Sequence, residues 1–205
     1  QIPAEFADVT RVILQSAKRI GVASRDESAF DICVVGHLRE VKDSLRAAEA
    51  SRQLPKQSKI RILQVGGVHE DEYQERIKVE LAENPRFKWL GELDEQEVAD
   101  VIASSQAMVI SSQFEGGARV VGEAVVHQTP VLSSRIDGVM GLLGEEYPGY
   151  FEFGDTYALL QLLERFENDD AFSAVLRQAT SEAASQFSPE LERAAWKKLM
   201  DELAE

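Results

Sequence analysis

From Phe30 onward, apolar runs of four to six residues alternate with longer stretches in which apolar positions recur at helical spacing. The runs Ile32–Gly36 (ICVVG), Ile60–Val65 (IRILQV), Phe87–Leu90, Ala107–Ser111 (AMVIS) and Pro130–Ser133 (PVLS) predict strands, with a short sixth at Tyr150–Phe153. Between them, Lys42–Leu54, Glu70–Glu83 and Val120–His127 predict helices. A further helix starts at Asp94, an N-cap residue, and carries Val98, Val101 and Ile102 on one face. The glycines at 138, 141 and 144 predict a long irregular loop before the sixth strand. Asp155, Asp169 and Ser188 open three terminal helices, the last with Pro189 at its first helical position. Strands that are apolar nearly throughout, each followed by a helix, need cover on both faces. The pattern therefore predicts an α/β fold: a Rossmann-like doubly wound parallel sheet with extra C-terminal helices.

Residues 1–30 do not continue this alternation. They predict one helix, about Ala4–Ile20, and a turn-rich connector, GVASRDESA. The chain begins at Gln1 rather than Met, and the expectation is that further protein lies upstream.

Composition narrows the function. Of the 205 residues, 44% are hydrophobic and 28% charged, which suits one sizeable core. The net charge of −14, with no Lys/Arg cluster, argues against a nucleic-acid partner. An anionic ligand must then be held by a few local donors rather than by a global field. No apolar run approaches the roughly 20 residues of a spanning helix. The first residues lack the basic start and apolar centre of a secretion signal. The single cysteine, Cys33, lies in an apolar run and reads as a small buried hydrophobe. A reducing cytoplasm is the simplest compartment for such a chain.

In an open parallel sheet, ligands bind beyond the carboxyl ends of the strands, where strand order reverses. Three loops there carry candidate chemistry. In Gly36-His37-Leu38-Arg39-Glu40-Val41-Lys42, Arg39 and Lys42 can place charge on a phosphate, or can simply be solvated. In the stretch from Ser111 to Ala124, Gly116 and Gly117 let backbone approach a ligand, and the helix that follows offers free N–H groups to phosphate. Glu115 precedes that helix and Glu123 lies two turns inside it. The plain readings are helix-start electrostatics for Glu115 and a solvated position for Glu123. The mostly apolar surroundings of Glu123 (RVVGEAVVHQ) favour a functional one, since an unpaired charge there is costly. The third loop, Arg135–Glu145, offers backbone contacts, a hinge or plain turns. His37, His69 and His127 show no metal-ligand spacing, so no metal and no cofactor is expected. The dinucleotide fingerprint and the serine-hydrolase elbow are both absent from the sequence.

These motifs resemble those of the group 1 glycosyltransferases, a retaining family with the two-domain GT-B fold. Gly36, Leu38 and Lys42 match its Gly-x-Leu-x-x-x-Lys loop. Glu115, Gly116, Glu123 and Ala124 match its paired glutamates eight positions apart, and the Pro130-Val131 strand follows in order. The resemblance covers about residues 30–205. It implies that Lys42 holds the donor diphosphate and that Glu115, as the catalytic-face residue, contacts the donor sugar. It further implies that Glu123 binds the ribose and that the backbone of Gly116, Gly117 and Ala118 faces the phosphates. The family usually has arginine where this chain has His37; Arg39 or a protonated His37 would supply that charge. The stretches CVVGHLREVKD, EGGARVVGEA and GLLGEEYPGYFEFGDT are similar to the selenosugar synthases, in which histidine also follows the glycine. That subfamily joins a sugar from UDP-N-acetylglucosamine to selenophosphate.

By the same resemblance, residues 31–187 would bind a nucleotide sugar such as a UDP-sugar. Residues 1–30 would be the end of a missing N-terminal acceptor domain plus linker, and 188–205 a helix that crosses back to it or packs on its own domain. The expected chain binds a uridine nucleotide weakly and transfers no sugar alone. The acceptor stays open. Two other readings remain: an isomerase like the nucleotide-sugar 2-epimerases, and a non-catalytic nucleotide-sugar-binding module.

Overall fold

The computed structural model describes residues 4–204. Residues 1–3 and Glu205, at the two ends of the expected terminal segments, lie outside the described residues. Six strands, β1 (Phe30–Val35), β2 (Ile60–Val65), β3 (Phe87–Gly91), β4 (Ala107–Ile110), β5 (Val131–Ser134) and β6 (Tyr150–Phe151), form one parallel sheet in the order β3-β2-β1-β4-β5-β6. Helices α1 (Arg46–Ser51), α2 (Asp71–Glu83), α3 (Glu95–Ser104), α4 (Arg119–Val126), α5 (Asp137–Leu143) and α6 (Thr156–Asn168) fall between or after the strands. Then come α7 (Asp170–Ala184) and α8 (Pro189–Ala204).

Successive strand residues point to opposite faces, and the two faces carry separate cores. Ile32, Val34, Ile62, Val109 and Leu132 pack with Ala47 of α1, Ile77 of α2 and Leu163 of α6. Cys33, Met108, Ile110 and Val131 pack with Ile102 of α3, Val121 and Val125 of α4 and Val139 of α5. The sheet is thus Rossmann-like and doubly wound. Helix starts follow the local chemistry: Asp94 forms a reciprocal capping box with Glu97, and Asp155 and Asp169 accept from Ala158 and Phe172.

Three expectations need correction. The helix over Ala4–Ile20 is reduced to a 3-10 turn at Ala4–Val9, and residues 10–26 have no regular structure. Their backbone donors go elsewhere: Ser16 to Glu192, Ala17 to Phe187, Gly21 to His127, Val22 to Asp100 and Ser24 to Ser104. Tertiary acceptors replace the helical ladder. The helix over Lys42–Leu54 breaks into a 3-10 turn (Glu40–Lys42) and α1, because Asp43 takes a left-handed conformation (φ 46°) clamped by Arg46 at 2.7 Å. The loop through Gly138 and Gly141 is in part helix α5. Each glycine costs about 1 kcal/mol in a helix, but fully buried Val139 offsets that, and the helix stops at Gly144 (φ 87°).

Helix α8 buries none of its described side chains; Leu191, Trp196 and Met200 are exposed. It is tied to the N-terminal segment through Glu192 with Ser16 and Glu202 with Arg11. No helix among the described residues is long and apolar enough to cross a membrane.

Candidate functional site

Strand β1 lies between β2 and β4, so chain progression reverses at the β1/β4 pair. The loops after these two strands bracket the resulting crevice. They are stitched together: Gln113 N–H donates to Val41 O at 2.9 Å, and Ser111 Oγ to Asp43 O at 2.8 Å. This stitching brings the β1-loop lysine to the β4-loop glutamate. Lys42 Nζ lies 2.5 Å from Glu115 Oε1, which also accepts from Ser112 Oγ at 2.6 Å. Glu115 keeps only 13% of its side chain exposed and Lys42 23%. The start of α5 presses on the same loop. A β-carbon at Gly138 would sit 2.0 Å from Glu115 O, so only glycine fits there. Ser134 Oγ, at the end of β5, donates to Ser112 O.

Glu123 occupies a different part of the crevice. It lines a cavity of about 770 Å³ together with Ile20, Val35, Leu93, Val98, Arg119 and His127. Its carboxylate is not unpaired, contrary to what the apolar helix implied. Arg119, one turn before it, reaches Oε1 at 2.9 Å and also contacts Glu95 at 3.1 Å. Arg119 is the first residue of α4, where the helix dipole disfavours a cation. The two acidic partners offset that cost and hold the guanidinium beside the helix start. Gly116 and Gly117 just before it are exposed, with open space where a side chain would be; Ala118 is buried. The backbone here is free to approach a ligand.

Residues 16–21 form one wall of the cavity. His127, 3% exposed, pins them: its Nε2 accepts from Gly21 N–H at 2.8 Å, so its proton sits on Nδ1, directed at Glu123 O at 2.7 Å. Arg119 and His127 were not singled out by the sequence reading. Arg119 lies two positions after Gly117 and is legible there; His127 is not, because its partner lies 106 residues away.

The remaining predicted residues divide. Gly36 and His37 lie at the end of β1 beside a second cavity of about 410 Å³, which shares Val35, Leu93 and Val98 with the first. Arg39 is exposed and precedes the 3-10 turn without capping it. His37 instead stacks on His69 (ring centroids 4.0 Å apart), with Glu92 3.6 Å from its Nδ1. The sequence spacing offered no metal-ligand set, since these three residues follow three different strands. Among the described residues the fold brings together this one group able to hold a cation. Cys33 is fully buried, and burial pushes its thiol up to about 12, which leaves it no nucleophilic role near neutral pH.

Comparison with known proteins extends the geometry. The family model described as glycosyl transferases group 1 matches residues 17–187. Among solved structures, Thermosynechococcus elongatus sucrose-phosphate synthase superposes with a TM-score of 0.79 at 22% identity, over 94% of this chain and 52% of that one. Anabaena HepE in complex with UDP and glucose gives 0.74 at 19% identity, over 86% and 48%. Staphylococcus aureus TarM, a G117R mutant in complex with fondaparinux, alpha-GlcNAc-glycerol and UDP, gives 0.75 at 18% identity, over 92% and 39%. The chain spans about half the length of the solved structures it matches.

Proposed function

The chain belongs to the glycosyl transferases group 1 family, and on that premise we propose that it is a donor-binding domain for a UDP-sugar used in retaining glycosyl transfer. The nucleotide takes the open cavity, with Glu123 accepting from the ribose hydroxyls. The diphosphate lies over Gly116, Gly117 and Ala118 at the start of α4, within reach of Arg119 and Lys42. The sugar sits at Glu115, whose carboxylate faces the reacting side. Gly36, His37 and Arg39 border the same crevice from the β1 side.

The observation that carries this reading is the separation of two acidic groups by one helix start. Glu115 is held by Lys42 and Ser112 at one side. Glu123 opens on a nucleotide-sized cavity at the other. UDP complexes of Anabaena HepE and S. aureus TarM, which share the fold, support uridine as the nucleoside. Acceptor contacts come from protein beyond this chain, and the chain alone transfers no sugar. A selenophosphate acceptor is the finer form of the proposal and rests on the sequence stretches alone. A cytoplasmic setting belongs to the same reading.

Calorimetry with UDP tests it. The expected result is saturable binding with a Kd below about 1 mM, or about 4 kcal/mol, that is weakened by Glu123→Ala. No heat at millimolar UDP would remove the nucleotide site. Sugar turnover by the chain alone would remove the need for a second domain. With the whole protein and UDP-N-acetylglucosamine, UDP release supports transfer, and epimer formation supports an isomerase instead.

A further inference from the structure

We propose that His37, His69 and Glu92 form a binding site for a divalent transition-metal cation of the zinc type, at the carboxyl ends of β1, β2 and β3. The backbone fixes two of the ligands. Strands β1 and β2 run in register to Val35↔Val65, and their loops continue as a pair through the Leu38↔Val68 bridge. Leu38 N–H donates to Gly67 O at 2.8 Å, and His69 N–H to Leu38 O at 3.2 Å. The residues flanking both imidazoles are therefore bonded to one another, and the rings lie face to face.

Glycine makes this close approach possible. Gly66 has φ 132°, and a β-carbon on it would stand 2.2 Å from Gly36 O. A β-carbon on Gly67 would stand 2.4 Å from Glu92 Oε1, so the carboxylate lies directly over that residue. Glu92 Oε1 is then 3.6 Å from His37 Nδ1 and 3.8 Å from His69 Nε2. Ligand atoms about 2.0–2.2 Å from zinc at a tetrahedral angle are about 3.4 Å apart. The three candidate ligand atoms lie within 4.8 Å of one another, and turning the half-exposed imidazoles out of their stack, with a small closure of the cluster, brings them to that geometry. The long Gly67 N–H···Nδ1 contact to His37, 3.2 Å, gives way when the cation takes that lone pair.

The donor set decides the class of ion. Two imidazoles and one carboxylate suit zinc, cobalt or nickel; magnesium and calcium prefer oxygen throughout. Three protein ligands leave one position open, and it faces the cavity of about 410 Å³ that His37 and Glu92 line. About half of each histidine and 67% of Glu92 are exposed, so a hydrated ion reaches the site without unfolding anything.

Cobalt(II) titration of the chain, followed by visible absorption, tests the site with the metal alone; zinc competition then gives the zinc affinity. Saturation at one equivalent is expected. His69→Ala and Glu92→Gln should each weaken binding at least about tenfold, the loss that even a ligand's supporting partner produces. Circular dichroism confirms that the variants stay folded. Absence of saturable absorption with the unaltered chain, or wild-type affinity in both variants, overturns the site. Glu123→Ala should leave cobalt affinity unchanged, which separates failure here from failure of the nucleotide site.

Discussion

The two glutamates of the crevice lie eight positions apart in sequence and differ in how they are held. Glu115 is nearly buried, bonded to Lys42 and Ser112, and backed by the start of α5 at Gly138. Glu123 is twice as exposed, faces an open cavity, and is balanced by Arg119, whose guanidinium is mostly in solvent. A carboxylate fixed in one orientation suits a role at reacting atoms, where misplacement is costly. A carboxylate at the rim of a cavity, with a movable counter-charge, suits a ligand that enters and leaves. The difference in restraint, more than the shared residue type, supports the proposed division of roles.

The largest expected effect tests that division directly. In the whole protein, Glu115→Ala should lower sugar transfer about 10²–10³-fold, as loss of a preorganised polar group does. UDP affinity measured by calorimetry should barely move. Equal losses in both would erase the distinction. Next is the support behind Glu115. Gly138→Ala places a β-carbon against backbone, which cannot swing aside, and should cost about 1–3 kcal/mol. For a domain of this size each kcal/mol lowers Tm by about 2–4 °C. An unchanged melting curve would show that the Glu115 loop does not lean on α5.

On the open side, Glu123→Ala and Arg119→Ala should each weaken UDP about tenfold, or about 1.4 kcal/mol. The ion pair between them is solvent-screened and should couple by less than about 1 kcal/mol in a double-mutant cycle. Coupling above that would make Glu123 as rigid as Glu115. The smallest effect concerns the segment that walls the cavity. The hydroxyl and amide of Ser16 hold the Glu192 carboxyl below the usual glutamate range. A depressed value means the tie is complete above the ordinary glutamate pKa and lost as pH falls through the lower folded one. The Ser16 amide resonance should therefore titrate with a midpoint below about 4.3. A midpoint at or above it would detach this wall from α8.

The alternation of apolar runs determined the strands to within two residues at each end, because a buried parallel strand must be apolar on both faces. Ile60–Val65 and the Asp94 capping box are local statements that nothing distant had to complete. The paired glutamates and the Gly36–Lys42 loop were legible for the same reason: each motif lies within one loop-and-helix unit. Tertiary structure decided what depended on remote partners. Residues 10–26 abandoned the predicted helix because Glu192, His127 and Asp100 offered acceptors to their backbone donors. Gly138 and Gly141 entered a helix because Val139 found a buried place. The pairing of Lys42 with Glu115 needed two loops 73 positions apart to be stitched together. His37, His69 and Glu92 meet only because three parallel strands end side by side, and no spacing within one segment encodes that.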